Sequence, residues 1–220
     1  MRHILKQGQS HHKKVHSFYF IMIVFLLMIG CAGSGKPKYE IESYLLNYAA
    51  PSWDKPYKLN TSVKLNRFSI AAAYNSANMI FRKDSYSLDN FNYSRWAVNP
   101  ADMIADSLLR DMRESSFFRA VFSRYDMDEG RFLISGGIEE FYLDMSKGDK
   151  TAVIRISISL KDTREKETGK SIMFQKKYMR EEPLQESSPR GYCQAASQAM
   201  RIISEQITND IYTAIKANVQ

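Results

Sequence analysis

Thr151–Thr163 reads TAVIRISISLKDT, and its alternation decides the fold. Ile154, Ile156, Ile158 and Leu160 fall on one side of an extended chain and Arg155, Ser157, Ser159 and Lys161 on the other, because successive strand side chains point to opposite faces. Alternation this clean marks a sheet with one face covered and one open. The flanking segments Arg131–Met145 and Lys170–Arg180 also read as strands, and the connections SKGDK and REKETGK are short enough to require antiparallel neighbours. Together they predict an antiparallel meander. Gly136 and Gly137, inside its first strand, predict a bulge or a close backbone approach, where the sheet bends or meets a partner.

Two helices are positioned to cover the apolar face. Asn99 is an N-cap, Pro100 suits the first helical position, where a missing N–H does no harm, and Asp102 sets negative charge at the positive end of the dipole. Ala101, Ile104, Ala105, Leu108 and Met112 then share one face of a helix running to about Ser115. Ser188 and Pro189 repeat the cap-plus-proline start, and Ala196, Ala199, Ile203, Ile207, Ile211 and Ile215 stripe a last helix ending near Lys216, with Cys193 on the stripe's edge as a small core residue. Shorter strands are expected at Tyr39–Tyr48, about Ser62–Ala71, Asn78–Lys83, Ser85–Asn90 and Phe117–Arg124, and Asn92–Pro100 reads as a loop into the first helix. The expectation is one α+β domain over residues 39–220, a mainly antiparallel sheet covered on one face by two helices.

Ahead of that domain, Ile29–Pro37 (IGCAGSGKP) parses in two ways. From Gly30 it spells G-x-x-x-x-G-K of a phosphate-cradling P-loop. Position 37, however, is proline, which has neither the hydroxyl for magnesium nor the backbone N–H that the cradle uses, and the sequence that follows reads as extended. From Met28 the same stretch spells M-I-G-C, the end of a bacterial lipoprotein signal, and this parse explains the whole N-terminus. Arg2, Lys6, Lys13 and Lys14 form a basic start, and Phe18–Ile29 is an apolar run too short to span a bilayer, since a helix needs about 20 residues to do so. Residues 1–30 are therefore expected to be a signal peptide, Cys31 the site of diacylglyceryl and N-acyl attachment, and 31–38 a flexible tether. An uncleaved signal-anchor helix is the other reading of the same cysteine.

Removing the leader changes what the composition means. Without its four cations, the 31 Lys and Arg fall to 27 against 24 Asp and Glu, about +3, so the basic balance is partly a targeting feature and gives no nucleic-acid reading. His3, His11, His12 and His16 all lie in the leader. A mature chain without histidine has none of the usual zinc sites and no Ser-His-Asp or Cys-His catalytic arrangement, which weighs against an enzyme. The clustered acids Glu139, Glu140 and Asp144 are the remaining candidates for a carboxylate-dependent hydrolase, and they read more simply as solvent-facing strand acids. Catalytic, cofactor-binding and metal residues are expected to be absent.

Several short segments resemble the ABC-type transport auxiliary lipoprotein family. They are S-Y-L-L at Ser43–Leu46, V-K-L-N-R-F at Val63–Phe68, M-I-F-R at Met79–Arg82 and S-R-W-A at Ser94–Ala97. F-Y-L-D at Phe141–Asp144, the strand from Ala152 to Asp162 and the alanine-rich last helix complete the set. The resemblance implies a non-catalytic periplasmic accessory lipoprotein of an MCE-type lipid transport system. It would work with an MCE-domain protein, an ABC permease and an ATPase, held by its lipid anchor on the periplasmic side of the outer membrane, self-associating and in contact with lipid. Arg95 and Trp96 are the candidate partner interface, because buried Trp and Arg dominate binding energies; a core role for Trp96 is the other reading. The competing function is a curli-secretion-like or other outer-membrane assembly lipoprotein, which would need a membrane-inserting hairpin that the sequence does not display.

Overall fold

A computed structural model describes residues 39–53, 57–146 and 148–219 of the chain. The leader, Cys31 and the tether lie outside the described residues. From Ile41 onward the chain forms one compact unit. Its strands are β1 (Glu42–Tyr44), β2 (Leu59–Leu65), β3 (Ser69–Ile70), β4 (Asn78–Arg82), β5 (Leu88–Trp96), β6 (Phe118–Phe122), β7 (Phe132–Asp144), β8 (Thr151–Asp162) and β9 (Ile172–Pro183). Its helices are α1 (Pro100–Glu114), the short α2 (Thr168–Ser171) and α3 (Pro189–Val219).

The meander forms as the alternation predicts. β7 and β8 pair antiparallel from Phe132 opposite Asp162 to Asp144 opposite Thr151, and β8 pairs antiparallel with β9. Ile154, Ile156, Ile158 and Leu160 are buried under the helices, while Arg155, Ser157 and Ser159 are only half covered. The rest of the sheet departs from the expectation of a mainly antiparallel arrangement. Along its other edge β7 receives β2, then β3, then β4, each in parallel, and β2 with β6 and β1 with β5 are parallel pairs as well. Only β4 and β5, joined by a tight turn, add a further antiparallel pair. The result is one mixed nine-stranded sheet with β7 as its hub.

The region expected as a single strand from Ser62 to Ala71 is interrupted between β2 and β3. Leu65 stands opposite Ile134 and Ser69 opposite Gly137, so this side carries an extra residue, and Phe68 turns inward over Gly136. A β-carbon on Gly136 would lie 2.4 Å from the Phe68 ring, so what approaches this glycine is a side chain and not the backbone that the pair predicts. The same strand also bulges at Glu139, between the pairings of Ile138 and Glu140.

Both helices begin where their caps predict. Asn99 Oδ1 accepts the Ala101 N–H at 2.9 Å, and Ser188 Oγ accepts the Gly191 N–H at 3.0 Å. The stripe of α3 from Ala196 to Ile215 and the α1 residues Ile104, Leu108 and Met112 are all fully buried against the sheet. At about 25 cal/mol per Å² of apolar surface removed from water, this interface is the main source of stability. No described helix is long and apolar enough to cross a membrane.

Tyr39–Tyr48 is strand only at Glu42–Tyr44. Beyond β1 the chain leaves the sheet and straps across the seam between α1 and α3. Leu45 O accepts from the Cys193 thiol at 3.1 Å, the Asn47 N–H donates to Ser197 Oγ at 3.0 Å, and the Tyr48 hydroxyl donates to Asp111 at 2.8 Å. Asp111 is fully buried, and the Arg110 guanidinium holds its other oxygen through two bonds of 2.7 and 2.9 Å. Burial and the adjacent Asp111 carboxylate push the Tyr48 hydroxyl far above its ordinary range.

Candidate functional site

The expected interface pair is split by the sheet. Trp96 ends β5 rather than lying on a loop, and there its side chain is 1% exposed. Its ring packs at a tilt against Phe141 at 5.1 Å and edge-on against Tyr192 at 5.3 Å, inside the core beneath the helices. Arg95, the preceding residue, points the opposite way and is exposed. Of the two, only Arg95 is available to a partner on the surface of this chain.

The three acids of the hydrolase reading are tied to separate partners. Glu139 pairs with Lys177 at 2.9 Å and Glu140 with Arg155 at 3.1 Å, and buried Asp144 accepts from the Ser146 N–H and hydroxyl at 2.9 and 2.6 Å. The bulge at Glu139 sets Glu139 and Glu140 both on the open side. These acids act as cross-strand ion pairs and a turn cap. Among the described residues, no group of three or more His, Cys, Asp or Glu side chains is placed to hold a metal.

The most developed surface is the face of the sheet that the helices leave open. Near the middle of β7 it forms a trough of about 390 Å³ lined by Ser69, Ser135, Gly137, Ser157, Ser159 and Lys177. The hydroxyls bond to the sheet's own backbone: Ser157 Oγ donates to Gly137 O at 3.2 Å and Ser69 Oγ to Gly136 O at 3.4 Å. Towards the end of β7 the same face carries a small second core of Tyr74, Ile80, Tyr142 and Val153. Tyr74 stacks on Tyr142 at 5.9 Å, and the Arg82 guanidinium sits 4.1 Å from the Tyr142 ring centroid. Burial pushes the Tyr142 hydroxyl up to about 12, with Arg82 pulling the other way. A second groove, about 520 Å³, lies at the β2–β6 end among Asn60, Arg119, Arg131, Arg164, Asp128 and Glu129, where Arg131 is held by Asp162 at 2.8 Å.

Sequence reasoning missed the trough and the tyrosine cluster. The serines of the RISIS stretch and the Gly136–Gly137 pair were their only signals; Ser157 and Gly137 meet across the β7–β8 ladder, but Ser69 and Tyr74 reach this face only when β3 and the turn at Ala72–Tyr74 arrive from elsewhere in the chain.

A single mixed sheet with α1 and α3 on one side and an open face on the other defines the class: an α+β domain that presents an open sheet face and edges. The chain belongs to the ABC-type transport auxiliary lipoprotein component family, whose family model matches residues 44–208. Its fold is similar to that of protein XCC0632 from Xanthomonas campestris, of family DUF330, with a TM-score of 0.67 at 15% identity over 77% of this chain and 95% of that one. A hypothetical protein from Chlamydia trachomatis is similar at a TM-score of 0.54 and 9% identity over 72% of this chain and 99% of that one. No protein of curated function matches the sequence.

Proposed function

We propose that the chain is a non-catalytic, lipid-anchored accessory subunit of an ABC/MCE-type lipid transport system. Exported by residues 1–30 and acylated on Cys31, it stands on the periplasmic side of the envelope, at the outer membrane, on the tether of residues 31–38. Its domain, from residue 39 onward, serves as a docking and self-associating subunit for an MCE-domain protein that works with an ABC permease and an ATPase. The observation that carries this reading is the family match across residues 44–208, which covers the whole sheet-and-helix unit apart from its two ends. Support comes also from the M-I-G-C boundary after a basic, apolar leader and from the open sheet face with exposed Arg95 beside it.

The test is made on protein isolated from its native host. Mass spectrometry is expected to find an N-terminal Cys31 carrying acyl chains, and crosslinked membranes are expected to yield the MCE, permease and ATPase partners. An intact Met1, or a free thiol at Cys31, defeats the anchor. Recovery of outer-membrane pore components without transporter subunits defeats the partner assignment.

A further inference from the structure

We propose that the β1–β5 edge of the sheet is a membrane-resting face, laid against the lipid surface that holds the tether. β1 closes one end of the strand order and pairs with no described strand other than β5. The parallel register sets Glu42 opposite Ser94 and Tyr44 opposite Trp96, so Ile41 falls beside Tyr93 and Leu45 within a residue of Val98. These four side chains are exposed by 55, 48, 53 and 43% respectively, and the register gathers them on one edge, whereas other exposed apolar residues such as Tyr86, Met127 and Ile172 lie apart from it in the chain. Scattered exposed hydrophobics are ordinary; several gathered along one edge mark a contact surface.

The chain itself names the occupant. Ile41 lies ten residues beyond Cys31, a span of at most ~35 Å. With Cys31 acylated, the bilayer is always within reach, and docking becomes an intramolecular event with an effective concentration in the roughly millimolar range. The inference therefore rests on the lipid-anchor reading. The residue types suit a headgroup boundary: Tyr93 is amphipathic, as interfacial aromatics are, and exposed Arg95 stands beside it for lipid phosphates. Glu42, the acid on β1, has its carboxylate engaged by the Tyr44 hydroxyl. A strand of three residues is too short to template strand addition by a second copy, which favours a flat lipid surface over a partner sheet.

The experiment uses the full-length acylated protein in vesicles of phosphatidylethanolamine and phosphatidylglycerol. In a Cys193→Ser background, single cysteines replace Leu45, Val98 and, as a control, Met127, which follows β6 at the far end of the strand order. Each is labelled with an environment-sensitive fluorophore. Quenching by nitroxide lipids is expected to be several-fold stronger at positions 45 and 98 than at 127. Equal, weak quenching at all three positions on protein that co-floats with the vesicles overturns the membrane face while leaving the anchor intact. Protein that does not co-float defeats the anchor, and the membrane face falls with it. Label-to-label energy transfer that rises with protein density, without lipid quenching, assigns the edge to a second copy and also overturns the proposal. Val98 lies outside any strand, so Val98→Cys keeps the test available if Leu45→Cys disturbs the strap.

Discussion

The contact between Gly136 and Phe68 lends itself to a reversal experiment. A β-carbon at Gly136 would stand 2.4 Å from Phe68 Cζ and 2.5 and 2.6 Å from its two Cε atoms, so an alanine there forces the ring back by about 1 Å from where it is 4% exposed in a filled core. Overpacking of this kind costs about 1–3 kcal/mol. No described glycine has positive φ, so Gly136→Ala also stiffens the unfolded chain and regains about 0.4–1 kcal/mol. The net expectation is a loss of about 1–2 kcal/mol, or roughly 0.5–1 M in the urea midpoint at a slope near 2 kcal/mol/M. In a Phe68→Leu background the far ring atoms are gone, only the backbone term remains, and the same Gly136→Ala is expected to be neutral or stabilising by up to about 1 kcal/mol. Equilibrium unfolding followed by the fluorescence of Trp53 and Trp96 reads both numbers. An identical effect of Gly136→Ala in the two backgrounds would refute the close approach, and with it the interruption between β2 and β3.

Other consequences can be measured in the same way. Asp111→Ala leaves Arg110 and the Tyr48 hydroxyl without their shared partner and is expected to destabilise by about 3 kcal/mol, with a coupling of about 1–2 kcal/mol to Tyr48→Phe in a double-mutant cycle; additive effects would mean that the strap is not held there. Trp96→Ala is expected to lose about 3–5 kcal/mol and Arg95→Ala less than about 0.5, so only the second is fit to test partner binding. If Trp96→Ala unfolds at the wild-type midpoint, its core placement is wrong. Because the Tyr142 hydroxyl is pushed up to about 12, the folded form resists its ionisation while the unfolded chain ionises near 10. That contribution is present in full below pH ~10 and is lost as the pH rises towards ~12. Tyr142→Phe should therefore show a shallower fall in stability over that window than the parent chain.

How much of this was legible in advance depended on whether an element's partners were near in sequence. β7, β8 and β9 follow one another through short turns, so alternation and loop length were enough to give their pairing, faces and direction. The α1 cap at Asn99 and the isoleucine stripe of α3 are local signals too, and both elements formed as expected. β2, β3 and β4 carry two to seven residues each, too few for periodicity to specify an edge, and their parallel docking on β7 is set by tertiary packing alone. The proline-led helix start dominates the local pattern and reads Trp96 as loop, whereas its ring packs against Phe141 and Tyr192 from the end of a strand. The strap went unseen because its hydrogen bonds run to side chains of two distant helices. Of the candidate site, Gly136 and Gly137 signal a bulge or a close backbone approach, whereas the group that comes close to Gly136 is the Phe68 ring, which no local pattern specifies.

The hub position of β7 has a consequence for how such a chain travels. Val63 waits for Phe132, Ser69 for Gly137 and Phe81 for Leu143, so the β4–β5, β1–β5 and β2–β6 pairs of the first half have no hub to join them into one sheet until the second half has been delivered. Pairings this distant close slowly. If residues 1–30 export the chain as proposed, a polypeptide threaded N-terminus first through a translocation pore would remain without its full sheet until the meander emerged, and would then have a ready-made template to settle on. The topology that makes the native sheet hard to read would thereby keep the chain competent for transit.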